Sequence, residues 1–200
     1  MRKKTGNKLH TWEAALLLAV AAALLWGACT LQRQDALGQK VIRLHVIANS
    51  DSEADQALKL RVRDRVLVLA EDILRQSGDM EEARQRLTEA LPRLQQTAAE
   101  EIAAQGSRYT VSARLEETEF PTREYDGFAL PSGEYLALRV VIGEGAGKNW
   151  WCVVFPPLCT AAASDVPTVA LDAGLTDREV ALITEADEGY ILKFKSVELW

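Results

Sequence analysis

Histidine is nearly absent: the 200 residues contain two, His10 and His45. A side-chain nucleophile needs an activating base, and His10 sits in an N-terminal segment set apart by composition. His45 is left, on a strand candidate beside Arg43, where a structural role suits it; no Cys-His or Ser-His pattern accompanies it. Cysteine is equally sparse. Cys152 and Cys159 are the two outside the N-terminal segment, with no second pair and no histidines nearby, so a structural zinc site is not indicated. Asn49, Asp51, Glu53 and Asp55 are acidic enough for a cation but lack the glycine and the terminal bidentate Glu of a calcium loop. Gly143-Glu-Gly-Ala-Gly147-Lys148 has the wrong glycine spacing for a phosphate loop, and Asn149 stands where Ser or Thr would hold magnesium. No spacing singles out a pair of carboxylates for acid–base work. No cofactor is expected, and the pattern favours a binding or signalling protein over an enzyme.

Long apolar runs are confined to the N-terminus. Arg2, Lys3, Lys4 and Lys8 precede Ala14 to Ala28, fifteen residues without charge. Residues 1–29 therefore read as a secretory signal or an N-terminal membrane anchor, and the leading positive charge places the rest of the chain outside the cytoplasm. Gly27-Ala28-Cys29 resembles a lipoprotein cleavage box, although Trp26 occupies a position where a smaller aliphatic is usual. Positive charge is also scarce. Without residues 1–29, which hold four basic residues and Glu13, 19 Lys and Arg face 28 Asp and Glu, a net of −9. An acidic body argues against nucleic acid as a partner and leaves membrane contact to the N-terminal segment. Outside the cytoplasm Cys152 and Cys159 are a possible disulfide.

What the chain does contain is a folding pattern of one domain. Residues 30–40 are polar and read as a linker before a single domain over 41–200. Val41 to Ile47 alternates as a strand. Ser52 is a fitting N-cap for a helix that runs to about Gln76, with Glu53 and Asp55 in its first turn. Leu58, Val62, Val66, Leu69 and Ile73 form its apolar stripe, while Lys59, Arg61, Arg63 and Arg65 read as a solvated face. A second helical region spans Met80 to Ala104 with Pro92 inside it, as a kink or as the start of a new helix. Strands follow at Tyr109 to Glu117 and Tyr135 to Ile142. Glycines 143, 145 and 147 then lead into Asn149-Trp150-Trp151-Cys152-Val153-Val154-Phe155, most simply the return strand of a hairpin. Thr176 and Glu179 mark a short helix, and Tyr190 to Trp200 reads as a last strand. The expected fold class is α+β: a mostly antiparallel sheet with two or three helices packed on one face.

Trp150 and Trp151 are adjacent, so they point to opposite faces of their strand. One exposed tryptophan would make an interface anchor. The candidate partner surface is therefore Asn149, Trp150 and Trp151 with the neighbouring Asn49, Asp51 and Asp55.

Three separated blocks carry a resemblance: the HVIANSDSEADQALKLRVRDRV run within Val41 to Val66, the Phe120-Pro121-Thr122 to Tyr135 region, and Asn149 to Cys159. Together they resemble the stage II sporulation protein R family of endospore-forming bacteria. The resemblance implies export from the forespore into the intermembrane septal space. It implies activation there of a membrane-embedded, aspartic-type protease in the mother cell, which processes the pro-form of an early mother-cell sigma factor. It supplies no catalytic residues. The competing classes are an extracytoplasmic hydrolase acting on cell wall or peptide, for which His45 with Asp51 and Asp55 is the best support, and an envelope lipoprotein held by Cys29.

Overall fold

The computed structural model describes residues 11–161 and 165–184, with the side chains of 28–35 left aside. The last strand expected at Tyr190 to Trp200 lies outside the described residues.

The order of elements is α1 (Thr11–Gly38), β1 (Ile42–Ile47), α2 (Glu53–Leu74), α3 (Met80–Ala104), β2 (Val111–Phe120), β3 (Arg123–Tyr125), β4 (Phe128–Leu130), β5 (Gly133–Ile142), β6 (Asn149–Phe155), α4 (Val166–Asp172) and α5 (Asp177–Thr184). Local chemistry sets the helix starts. Ser52 accepts the Asp55 N–H at 3.2 Å, and Asp79 accepts the Glu82 N–H at 2.9 Å. Thr176 and Glu179 close a reciprocal capping box. Pro92 lies within one continuous α3.

Four strands form the main sheet in the order β2-β5-β1-β6, and β3-β4 form a separate hairpin. β1 runs parallel to β5 and antiparallel to β6. The expected β5–β6 hairpin is thus replaced by a crossover, with β1 inserted between the two strands. The chain leaves β5 at Ile142, crosses the end of β1, and returns on β1's other side.

All six residues of β1 are buried, which requires cover on both faces of the sheet. On the first face Leu44, Val46, Leu138 and Val140 pack against Val62 and Val66 of α2 and Leu87, Leu94 and Ala98 of α3. On the second, Leu37, Phe120, Phe128, Leu130, Tyr135 and Val153 join Val166, Ala170 and Ile183 of the short C-terminal helices. The expectation of a mostly antiparallel sheet with two or three helices on one face is therefore corrected. The described residues hold five helices, cover lies on both faces, and the fold is a mixed α/β one. The short helix marked by Thr176 and Glu179 is present as α5, and α4 joins it on the second face, each helix burying two side chains there.

The expected linker at 30–40 is also revised. α1 continues to Gly38, and Leu37 is fully buried in the second-face cluster. The N-terminal helix is thereby docked to the domain. Its leucines at 16, 17, 18, 24 and 25 are exposed. Among the described residues no helix is long and apolar enough to cross a membrane.

Candidate functional site

The crossover after β5 passes over Ala48 to Asp51, and backbone bonds fix it there. Gly147 N–H donates to the Ala48 carbonyl at 3.0 Å and Ala146 N–H to the Asn49 carbonyl at 3.1 Å. Side chains complete the clamp. Asn49 Oδ1 accepts the Glu144 N–H at 3.0 Å, and Asp51 Oδ1 accepts the Lys148 N–H at 2.7 Å. Lys59 of α2 donates to the Lys148 carbonyl at 3.0 Å. Two glycines make the close approach possible. Gly143 has φ +56°, and a Cβ there would collide with the Asn49 side chain; a Cβ on Gly147 would collide with the Ser50 carbonyl.

Asp55 holds the other side of the clamp. Its Oδ2 accepts from Ser50 Oγ at 2.5 Å and from Asn49 Nδ2 at 2.9 Å. These hydrogen bonds, Ser50 first and then Asn49, lower its pKa from the ordinary aspartate value. Asn49, Asp51 and Asp55 thus lie beside the crossover; Asn49 and Asp55 spend their polar atoms within the molecule, while Asp51 is exposed and bonded through Oδ1. The exposed side chains are those of Glu144, Ala146, Lys148 and Asn149.

Lys59 is the residue that sequence reasoning missed. It was placed on a solvated helix face, yet it is 5% exposed. Burial lowers its pKa, and its ammonium also donates to Gln56 at 2.6 Å. The signal was present in its position: Lys59 follows Leu58 of the apolar stripe and so stands at the rim of the buried face.

Trp150 and Trp151 do face opposite ways, and both are half-buried. Trp150 packs on the first-face core with the Arg63 guanidinium 4.7 Å from its ring centroid. Trp151 belongs to the second face, with Arg123 at 4.1 Å. Cys152 and Cys159 form a disulfide with Cα atoms 5.8 Å apart. It ties the β6 strand to the segment that follows the cis Phe155-Pro156 bond.

Beneath Trp151 the second face carries an unusual layer. Arg43 is fully buried, its guanidinium 4.0 Å from the Phe120 ring and 5.0 Å from that of Tyr135. It donates to the Tyr125 hydroxyl at 2.7 Å. Burial lowers its pKa. His45 Nε2 lies 2.9 Å from Asn149 Oδ1, and burial lowers the imidazole pKa as well, which keeps it neutral at pH 7. Asp51 and Asp55 make their bonds at the crossover, and neither is joined to His45 by a hydrogen bond. Among the described residues no group of three or more His, Cys, Asp or Glu is arranged to hold a metal ion.

These features define a mixed α/β domain with a stapled crossover at one end of its sheet and an exposed apolar helix at its N-terminus. Residues 38–165 match the family model described as stage II sporulation protein R, and the chain belongs to that family. The match runs from the end of α1 through β6. The stage II sporulation protein R of Bacillus subtilis (strain 168) is 39% identical over 120 residues, covering 60% of this chain and 54% of that protein. The chain thus spans about half the length of the curated relative it matches. No solved structure matches it.

Proposed function

We propose that this chain is an exported sporulation signalling protein that activates a membrane-embedded protease, which in turn processes the pro-form of an early mother-cell sigma factor. Family membership supports the sporulation role. The observation that carries the signalling reading is the crossover clamp. It holds a short exposed segment in one conformation by bonds from Ala48, Asn49, Asp51 and Lys59. A preorganised loop loses little conformational freedom on binding, so more of its contact energy is left for affinity. To activate, the chain must bind the active state of the protease more tightly than the inactive one.

Asn149, Trp150 and Trp151 form the proposed contact strip at the start of β6, with the clamp residues Asn49, Asp51 and Asp55 supporting it. The apolar, exposed α1 serves as the export segment, which leaves the domain on the extracytoplasmic side.

Reconstitution tests this reading. Membranes containing the protease and its pro-sigma substrate are incubated with and without the full chain, and cleavage is followed by gel mobility. Processing that depends on the chain, and that is lost in Trp150→Ala or Trp151→Ala chains with a wild-type amide spectrum, is the expected result. Processing that proceeds equally without the chain contradicts the activator role.

A further inference from the structure

Six buried side-chain polar atoms among the described residues have no hydrogen-bond partner, and five of them lie on the second face of the sheet. These are Arg43 Nε and Nη1, His45 Nδ1, Arg139 Nε and Trp151 Nε1. Buried polar groups are nearly always paired, so such a concentration requires an explanation. The strand register places it. Arg114 of β2 stands opposite Arg139 of β5, Arg139 opposite His45 of β1, and His45 opposite Trp151 of β6. One row across all four strands therefore presents two arginines, an imidazole and an indole. The arginine and indole nitrogens are donors only. What the row lacks is acceptors.

A depression of about 230 Å³ opens over the β2–β5 end of this row, lined by Ser112, Arg114, Glu116, Arg139 and Val141. One carboxylate already sits there. Glu116 Oε1 accepts from Arg139 Nη1 at 2.8 Å, leaving Arg139 Nε unpartnered. Arg114 is exposed and makes none of the ion pairs found among the described residues. In a body with a net negative charge, this is a local site of the opposite sign.

We propose that this depression is a carboxylate-binding site that takes a Glu or Asp side chain presented by a protein partner, held between Arg114 and Arg139. A bidentate guanidinium–carboxylate contact would use the free Arg139 donor and the free Arg114 fork together. Two observations favour a polypeptide as the source of the carboxylate. The volume suits one side chain and is below that of pockets that enclose drug-sized ligands. β2 is also an edge strand, and the Ala113 N–H on its outer side is satisfied by the Gln95 side chain at 3.1 Å, where a further strand would otherwise pair. A partner backbone can therefore lie along the edge only beyond this blocked position, from Leu115 toward Phe120, while its side chain enters the depression. Glu116 acts as an internal competitor for Arg139. None of this rests on the protease reading.

The test uses the full chain, ¹⁵N-labelled in a non-ionic detergent, titrated with the blocked peptide acetyl-(Ala-Glu)₃-amide. Saturable shifts of the Arg114 and Arg139 Nε–H signals are expected, with none from the Ala-Gln counterpart. Arg114→Ala should weaken binding about tenfold, the scale of one charge-assisted pair. Glu116→Gln should tighten it several-fold by removing the competitor, and Arg75→Ala, on the exposed end of α2, should leave it unchanged. No saturable shift at these two signals would overturn the proposal. So would an Arg75→Ala loss equal to that of Arg114→Ala, which would reduce the effect to general charge, or weaker binding in Glu116→Gln. Free glutarate binding as tightly as the peptide would overturn the assignment to a polypeptide.

Discussion

The two faces of the one sheet are built from different materials. The first is mostly aliphatic: Leu44, Val46, Leu138 and Val140 meet two long helices whose buried residues are Leu, Val, Ala and Ile, apart from Asp55 and Lys59 in the first turns of α2. The second sets Arg43 and His45 among Phe120, Tyr135 and Trp151, under a two-stranded hairpin and two short helices. Aliphatic burial is non-directional and tolerates nothing polar. A layer of guanidinium, imidazole and aromatic rings is directional, costs desolvation, and leaves donors unpaired. The contrast teaches that the first face stabilises the domain, whereas the second holds groups that cost desolvation and are only partly compensated by hydrogen bonds.

The sharpest way to break this contrast is to cut into the first face. Leu138→Ala removes a fully buried side chain from the middle of the sheet and should cost about 2–5 kcal/mol in urea unfolding. Next comes the junction between the faces. Gly147→Ala forces a methyl group against the Ser50 carbonyl, and should cost about 1–3 kcal/mol as the crossover shifts away from Asn49 and Asp51. Exchange of the Gly147 and Lys148 amides with solvent would report that opening.

Acid separates the regions along the pH axis. Burial holds the folded His45 pKa below 6.5, so the unfolded chain takes up a proton first as pH falls. Stability from neutral His45 is full above that value and is lost as pH falls through the folded pKa. Asp55 behaves alike in a lower window, its folded pKa lying below 3.8. Unfolding midpoints measured against pH should therefore decline in two steps. His45→Gln should flatten the upper step, and Asp55→Asn the lower. The smallest effect is expected where a charge is removed. Arg43→Met takes away a buried cation that has no carboxylate among its bonds, and stability should stay within about 1 kcal/mol of wild type. A loss as large as that of Leu138→Ala would erase the distinction between the faces.

Much of the first face was legible in the sequence. The stripes through Leu58, Val62 and Val66 and through Ala83, Leu87, Leu94 and Ala98 repeat at helical spacing, and Ser52 and Thr176 announce their helices through local hydrogen bonding. Alternation separated Ile42, Leu44 and Val46 from Arg43 and His45. Strand order was not legible, because the insertion of β1 between β5 and β6 depends on pairings about a hundred residues apart. The burial of Arg43 was hidden for the same reason: Phe120, Tyr125 and Tyr135, which enclose it, are distant in sequence. The adjacency of the glycine loop and the Asn49–Asp55 segment was anticipated in the choice of candidate surface. That Asn49 and Asp55 spend their polar atoms inside the clamp was not, since polar and acidic residues at a helix start look alike whether they cap, clamp or face a partner.

If the crossover geometry carries the signal, stability and signalling should come apart. The direct measurement is chain-dependent pro-sigma processing by Leu138→Ala and Gly147→Ala chains, at a temperature where both remain folded. The account predicts near wild-type processing with Leu138→Ala, despite its larger loss of stability, and little or none with Gly147→Ala. Processing that instead follows stability, or that is undiminished with Gly147→Ala, would contradict it.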